Sequence, residues 1–398
     1  MDALPCQRAA FDLGGDDVAY LNVCSCSPIP RAVADAAKRA VDLKTKPWSM
    51  PATTGEGNIK RLFAQVLNGG VEEQDIALCP STSYAMSLAA ASVDWSRHND
   101  PSVVVLDQQF PSNVMPFQRR AKLRIVKRRD DSGDVGDGWT AGVLAELAHD
   151  DVACVAIPHA HWTDGSTLDV YAIAKACKTK GVPLALDLTQ TLGAAPIAVG
   201  PHEHACDATF VACSVHKHLY SPYGASLFYC ARRHQARLQP LERHERQVRD
   251  WPDADATGES LFDPDTGYPA VSWADMRKAD AGGRPNPVLM PALQASLELV
   301  VAWGPSRIAD YVAPLAQVVE DAALAAGFHV ARPRVAHIVG LRPPAGSRLP
   351  SARALAARLA SVGVVVSVRC GVLRVSFGVF NTLDDAARLA QVLQALPE

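Results

Sequence analysis

Two stretches of this chain end apolar runs in groups that can do chemistry. Leu184-Ala-Leu-Asp187-Leu-Thr-Gln190 closes one run on a carboxylate, and Ser214-Val-His216-Lys217 closes another on an amine 30 residues later. An acid and an amine brought to one site can exchange protons with a substrate, and the amine is also a nucleophile. A third stretch, Pro80-Ser81-Thr82-Ser83-Tyr84-Ala85, sets hydroxyls before the helical run Ala85-Met-Ser-Leu-Ala-Ala. Free amides at a helix start favour an anion such as phosphate. Each feature alone has an ordinary reading: a lone lysine after a strand is usually solvated, and serines before a helix usually cap it. Their joint occurrence at strand ends carries the weight.

The elements that would position them are legible as seven short, β-branched runs between amphipathic stretches. They are Asp75–Cys79, Ser102–Leu106, Leu123–Val126, Asp151–Ile157, Pro183–Asp187, Ala208–Ala212 and Ala225–Tyr229. Strands alternating with helices predict an α/β fold, a mostly parallel sheet covered on both faces. Ligands collect at the carboxyl ends of such strands, which is where the candidate residues fall. Residues 233 to 285 change texture, with Glu242-Arg-His-Glu-Arg246, Asp250-Trp-Pro-Asp-Ala-Asp255 and Ala281-Gly-Gly-Arg-Pro285, and predict a surface excursion. A long helix is expected from Pro291 to Trp303. Strands near Val335–Leu341, Val364–Val368 and Leu373–Phe377 then make a small α+β domain, whose last helix starts at a cap within Asn381-Thr-Leu-Asp384.

The 398 residues are 48% hydrophobic and 20% charged, with Lys+Arg 39 against Asp+Glu 42 and a formal charge of −3. That composition excludes a disordered chain and gives no positive field for a nucleic-acid backbone. Ten cysteines are scattered from Cys6 to Cys370, several inside apolar runs, so free thiols are expected. With no signal-peptide pattern and no membrane-length apolar window, the reading is a cytoplasmic protein without nucleic-acid or membrane partners.

The Asp187/Gln190 and Ser214-Val-His216-Lys217 blocks, with Arg374-Val-Ser376-Phe-Gly-Val-Phe-Asn381-Thr, resemble the class V aminotransferase family over most of the chain. These are pyridoxal-phosphate (PLP) enzymes of fold type I, a group that includes cysteine desulfurases, kynureninase and isopenicillin N epimerase-like proteins. The resemblance implies a large domain with a seven-stranded, mostly parallel sheet between helices and a small α+β C-terminal domain. Residues 1–44 would pack on the small domain and the site mouth, 45–290 would form the PLP domain, and 291–398 the small domain.

The same resemblance implies roles. Lys217 would form the Schiff base and later carry protons, and Asp187 would hold the pyridine nitrogen protonated. Gln190 would reach the phenolic oxygen, and Ser83, Tyr84, Ser214 and His216 the phosphate. Phe110, in Asp107-Gln-Gln-Phe110-Pro-Ser-Asn113, would stack on the ring where many relatives place His, unless it is simply core. Arg374 would grip the substrate α-carboxylate in a bidentate pair, with Arg369 as a second, weaker candidate. Asn22, in Tyr20-Leu-Asn22-Val-Cys24-Ser-Cys26, and His161, beside Trp162, are further substrate candidates. A homodimer is implied, with the segment around Arg284-Pro-Asn286 near the partner's site.

Three His-x-His pairs (159/161, 202/204, 216/218) lack a Cys or carboxylate set at zinc spacing, so no metal is expected. Cys370 lies in a compact Ser367-Val-Arg-Cys370-Gly-Val-Leu-Arg374 turn without the mobile Gly-His-Cys loop of cysteine desulfurases, which disfavours persulfide transfer. The blocks around Phe110 and His161 look most like the epimerase-like and ergothioneine-type C–S lyase branches. The expected function is a β-eliminating C–S lyase on a cysteine-derived amino acid. An aminotransferase or epimerase is the alternative, and an inactive PLP-fold binding protein a remote one. A nucleotide-binding dehydrogenase is also remote, since neither G-x-G-x-x-G nor a Walker motif follows the first strands.

Overall fold

The structure, a computed structural model, describes residues 2–15, 17–51, 55–128, 135–244, 247, 276–283 and 285–396. In chain order its strands are β1 (Ala19–Tyr20), β2 (Ile76–Cys79), β3 (Ser102–Leu106), β4 (Lys122–Val126), β5 (Val152–Pro158), β6 (Leu184–Asp187), β7 (Phe210–Ser214), β8 (Ser226–Cys230), β9 (His329–Val330), β10 (Ile338–Arg342), β11 (Val364–Val365), β12 (Ser367–Arg369) and β13 (Val372–Ser376). The main helices are α1 (Arg31–Lys44), α2 (Glu56–Leu67), α3 (Thr82–Ala91), α4 (Met115–Gln118), α5 (Val135–Leu147), α6 (Val170–Lys180), α7 (Arg232–Gln235), α8 (Leu289–Trp303), α9 (Pro305–Ala325), α10 (Ala352–Ala360) and α11 (Leu383–Gln394).

All seven runs read from the sequence are strands of one seven-stranded sheet in the order β2-β8-β7-β6-β5-β3-β4. Only β8 runs against its neighbours. Alternation decides the faces: Leu78, Val104, Val155, Leu184, Leu186 and Val211 point into one apolar core, while Ala77, Val103, Val105, Cys154, Ala185 and Ala212 point into the other. Both faces are dry, which is why the strands read as continuous apolar runs. Each fully buried Val, Leu or Ile contributes roughly 1.5–3 kcal/mol. The run expected over 208–212 is displaced to Phe210–Ser214, because its pairing with Ser226–Cys230 extends to Ser214.

The register sets the site. Cys79 pairs with Ser226, Ser226 with Ser214, and Asp187 with Ala212 and Pro158. The ends of β2, β5, β6 and β7 therefore share one edge, and the turns leaving them open together. The turn after Asp187 is clamped to the turn after Lys217 at Gly193 (φ +91), where a Cβ would stand 2.6 Å from the His218 carbonyl oxygen. Any side chain there would push the two turns apart.

Part of the expected surface excursion is not on the surface. Met276 and Ala279 are buried in the second core, and Asp280 accepts from the Leu78 amide at 2.8 Å and from Lys60 Nζ at 2.7 Å. Leu78 O in turn accepts from Ala281 N at 2.9 Å. This segment covers the open side of β2, an edge strand whose backbone groups need partners. Residues 245, 246 and 248–275 of the excursion, and Arg284 of the segment expected near a partner's site, lie outside the described residues.

A third core is built on the four-stranded sheet β12-β13-β10-β9, with α9, α10 and α11 around it. The N-terminal segment joins it: β1 pairs in parallel with β11. Helix α8 packs elsewhere. Leu289, Leu293, Leu297 and Val300 lie in the core of the large sheet with Ile59 and Phe63 of α2, whereas the sequence reading opened the small domain at 291. The apolar stripe of α8 matches α2, and Gly304 (φ +78) breaks the chain into α9, which the sequence reading did not separate out. Thr382 caps α11 and forms a capping box with Asp385.

Candidate active site

A cavity of about 510 Å³ opens where these turns meet, bounded by the β2, β3, β5, β6 and β7 exits, the 223–225 turn, the N-terminal Cys24-Ser25-Cys26 and the β12–β13 hairpin. Among the residues expected at a site, Ser83, Phe110, Asp187, Gln190, Ser214, His216, Lys217, Arg369 and Arg374 line it.

Lys217 is 9% exposed. Burial lowers its pKa, Arg374 lowers it further, and Cys24 and Asp187 pull the other way. Its Nζ stands 5.6 Å from the centre of the Phe110 ring. Phe110 is 40% exposed, so it is cavity wall rather than core, and its ring meets Trp162 edge-on at 5.3 Å. Asp187 is buried, and its Oδ1 accepts from the Thr189 amide at 2.9 Å. Desolvation raises its carboxyl pKa against the opposing pull of that hydrogen bond. Among the described residues neither Asp187 nor Lys217 forms an ion pair, although both line one cavity.

Gln190 donates to Cys24 O at a long 3.4 Å, its own carbonyl accepts from His337 Nε2 at 2.7 Å, and its buried Oε1 has no partner. His216 stacks on Tyr223 with ring centres 3.7 Å apart, and burial beside Lys217 lowers its pKa to about 4. It is neutral at physiological pH.

A hydroxyl cluster forms the far wall. Ser81 caps α3 by accepting from Tyr84 N, and its Oγ lies 2.9 Å from Ser83 Oγ. Thr82 Oγ1 contacts Ser214 Oγ at 2.5 Å, and Thr189 Oγ1 accepts from Ser214 N at 3.1 Å. Helix α3 points its free amides at this cluster, an arrangement suited to an anion. Thr82 and Thr189 were not singled out from the sequence, although both stand inside the motifs that were. Being flanked by expected ligands was the available signal.

Three expected residues lie outside the cavity. Tyr84 follows Ser81, Thr82 and Ser83 round the first turn of α3, so its side chain turns away from the cavity, where burial first and the nearby Glu242 next raise the phenol pKa. Asn22 is held by a backbone bridge to Ser376, and its Oδ1 accepts from Ser25 Oγ at 2.8 Å, which leaves Ser25 to face the cavity. His161 is fully buried, bonded to Thr163 Oγ1 at 2.7 Å and Asp107 O at 3.1 Å and stacked on Trp139, while its neighbour Trp162 lines the cavity. Each is displaced by a local turn that gives the cavity to a near neighbour.

Arg374 is 1% exposed. It donates to Ser367 Oγ at 3.2 Å, Trp162 O at 2.7 Å and Ser25 Oγ at 2.8 Å, which uses three of a guanidinium's five N–H donors. Cys370 and Gly371 (φ 48 and 78) form a tight turn between β12 and β13, and Cys370 points outward and is exposed. Cys24 and Cys26 are the thiols that line the cavity.

The family model described as Aminotransferase class-V matches residues 20–389. An uncharacterized aminotransferase, YcbU, of Bacillus subtilis is 24% identical over 331 residues, covering 81% of this chain and 79% of that one. A probable cysteine desulfurase of Chlamydia muridarum is 24% identical over 236 residues, 57% of each chain. Among solved structures, the apo cysteine desulfurase of Thermococcus onnurineus superposes with a TM-score of 0.79 at 18% identity, over 99% of this chain and 98% of the other. The cystine C–S lyase C-DES, in complex with its product cysteine persulfide, gives a TM-score of 0.79 at 15% identity, over 97% and 99%.

Proposed function

The chain belongs to the class-V aminotransferase family, and from that membership we propose a PLP-dependent β-eliminating C–S lyase acting on a cysteine-derived L-amino acid. The observation that carries the reading is the cavity itself. It holds a buried amine, a buried carboxylate without an ion partner and a hydroxyl-lined helix start, and no thiol on the β12–β13 hairpin faces it.

The residues fit the cofactor. The uncompensated Asp187 suits a protonated ring nitrogen, and Gln190, with its amide at the cavity wall, suits a phenolic oxygen. Ser81, Thr82, Ser83 and Ser214 with the α3 amides suit a phosphate, and the Phe110 face beside Lys217 suits a ring. When bound, PLP supplies an aldehyde and an electron-withdrawing ring that stabilises negative charge at the substrate Cα.

The chain's own residues do the rest. Arg374 turns its two spare N–H donors to the α-carboxylate and so orients the bonds at Cα. Lys217, its pKa lowered by burial, takes the Cα proton. Loss of that proton lets the Cβ–S bond break with its electron pair on sulfur, and the leaving thiolate takes the proton from the Lys217 ammonium and departs as the thiol. Phe110 and Trp162 keep water from the reacting face. Cys370 stands outward on a two-residue turn without reach into the cavity, which favours elimination over sulfur transfer to a hairpin thiol. A homodimer belongs to the same proposal, since Trp48 (82% exposed) and Tyr223 (61% exposed) offer apolar surface for a second chain to cover.

The deciding experiment supplies cysteine S-conjugates to the PLP-loaded protein without a keto acid. Pyruvate, ammonia and thiol in equal amounts are expected. A strict requirement for an acceptor keto acid would identify an aminotransferase instead, and Cα inversion without product loss an epimerase. Replacing Arg374 by Lys is expected to lower kcat/KM by about 10²-fold, mainly through KM, because a point charge cannot reproduce the bidentate grip. Steady-state kinetics with circular dichroism as a folding control measures it. An unchanged KM would remove Arg374 from the carboxylate site.

A further inference from the structure

The cavity wall carries three cationic side chains, Lys217, Arg369 and Arg374, and one carboxylate, Asp187. With a phosphate at the α3 hydroxyls and Lys217 given to the cofactor, as in the reading above, the two arginines remain. Arg369 and Arg374 converge on one hydroxyl: Arg369 Nη2 donates to Ser25 Oγ at 2.9 Å and Arg374 Nη2 to the same atom at 2.8 Å. Ser25 in turn donates to Asn22 Oδ1, so the hydroxyl is saturated. Neither guanidinium forms an ion pair among the described residues. Arg369 is half-buried at the mouth, with Val368 O as its other acceptor at 2.9 Å and its guanidinium 6.0 Å from the centre of the Trp162 ring. Three of its five N–H donors remain.

Two like charges sharing a neutral acceptor repel each other; burial is the main cause that lowers the pKa of Arg374 to about 10, and Arg369 acts in the same direction. A fold keeps such a pair where an anion offsets the cost. The substrate α-carboxylate answers Arg374 and leaves Arg369 unanswered.

Resting on the lyase reading above, we infer that the substrate carries a second anionic group on its side chain or leaving group, a carboxylate or an acid of similar shape, and that Arg369 binds it at the mouth. The planar fork of Arg369, backed by Trp162 and Ser25, suits a bidentate carboxylate. The substrate class is then a cysteine S-conjugate with an acidic S-substituent, in place of a neutral S-alkyl cysteine.

The test pairs S-(2-carboxyethyl)-L-cysteine with S-propyl-L-cysteine on the PLP-loaded native protein and on Arg369→Met and Arg369→Lys. The native protein is expected to favour the acidic conjugate by about tenfold or more in kcat/KM. Arg369→Met should bring the ratio near one by weakening the acidic conjugate, and Arg369→Lys should fall between. Calorimetric titration with glutarate, which has two carboxylates and no amine, should show binding to the native protein and about tenfold weaker binding to Arg369→Met. Equal losses for both conjugates would assign Arg369 to the α-carboxylate and overturn the inference, as would a native protein indifferent to the second charge. If neither conjugate yields pyruvate while glutarate binding still depends on Arg369, the lyase reading fails and the double-anion site stands.

Discussion

Replacing Lys217 by Ala is expected to lower kcat by about 10³-fold or more, because one side chain serves both as the amine nucleophile and as the proton acceptor at Cα. The cavity prepares it for both tasks. Burial and Arg374 depress its pKa, so a larger share of the amine is neutral at a given pH than in a solvated lysine. Only the neutral form attacks a carbonyl or accepts a proton. Activity should therefore rise with pH through the Lys217 titration, at lower pH than a free lysine would give. Lys217→Arg should be as inactive as Lys217→Ala, since a guanidinium stays protonated throughout. Borohydride reduction of the PLP-loaded native protein followed by peptide mapping should mark the peptide bearing Lys217, and no peptide in the Ala variant. A label elsewhere in the native protein would end the proposed mechanism.

Asp187→Asn should move stability and activity in opposite directions. In the cofactor-free protein the Asp187 carboxylate is buried, hydrogen-bonded to the Thr189 amide and without an ion partner, and desolvation raises its pKa. A raised carboxyl pKa means that the folded state holds its proton more tightly than the unfolded state, whose value is about 3.9. This contribution to stability is present below that value and is lost as pH rises through the folded pKa. Above it the ionised group is a standing cost. The cofactor-free Asn variant should then melt higher than the native protein at neutral pH and lack that part of the pH dependence. With PLP present the order reverses, because the amide brings no charge to the ring nitrogen, and kcat should drop by about 10²-fold or more. Melting curves with and without PLP, beside kcat, report both halves. If the variant melted lower in both forms, Asp187 would be a structural residue and not the partner of the ring.

Most of the architecture and the centre of the site were legible in the chain itself. The seven runs became the seven strands because β-branched apolar residues bounded by turns have few other ways to hide their surface from water. Asp187, Ser214, His216 and Lys217 were readable as cavity residues because they end or closely follow buried strands whose ends must share one edge. What failed to read was orientation within a turn. Tyr84, Asn22 and His161 each stand one to three residues from a residue that lines the cavity, Ser83 and Thr82, Ser25, and Trp162 respectively. One step along a helix turns a side chain by about 100° and one step in a strand reverses it, so motif position alone leaves the facing residue open.

Residue types and order by themselves determined the seven strands of the large sheet, the candidate amine and acid at their ends, and the hydroxyl-rich helix start, because these depend on local burial pattern and chemistry. Tertiary structure decided which hydroxyls face the cavity, that α8 packs with the large sheet, and that residues 276–283 seal the β2 edge. It also brought Arg369 and Arg374 onto a single serine from the far N-terminal segment. Those outcomes come from contacts between segments up to several hundred residues apart, whose energies depend on distance and direction, and neither quantity is written in the order of the residues.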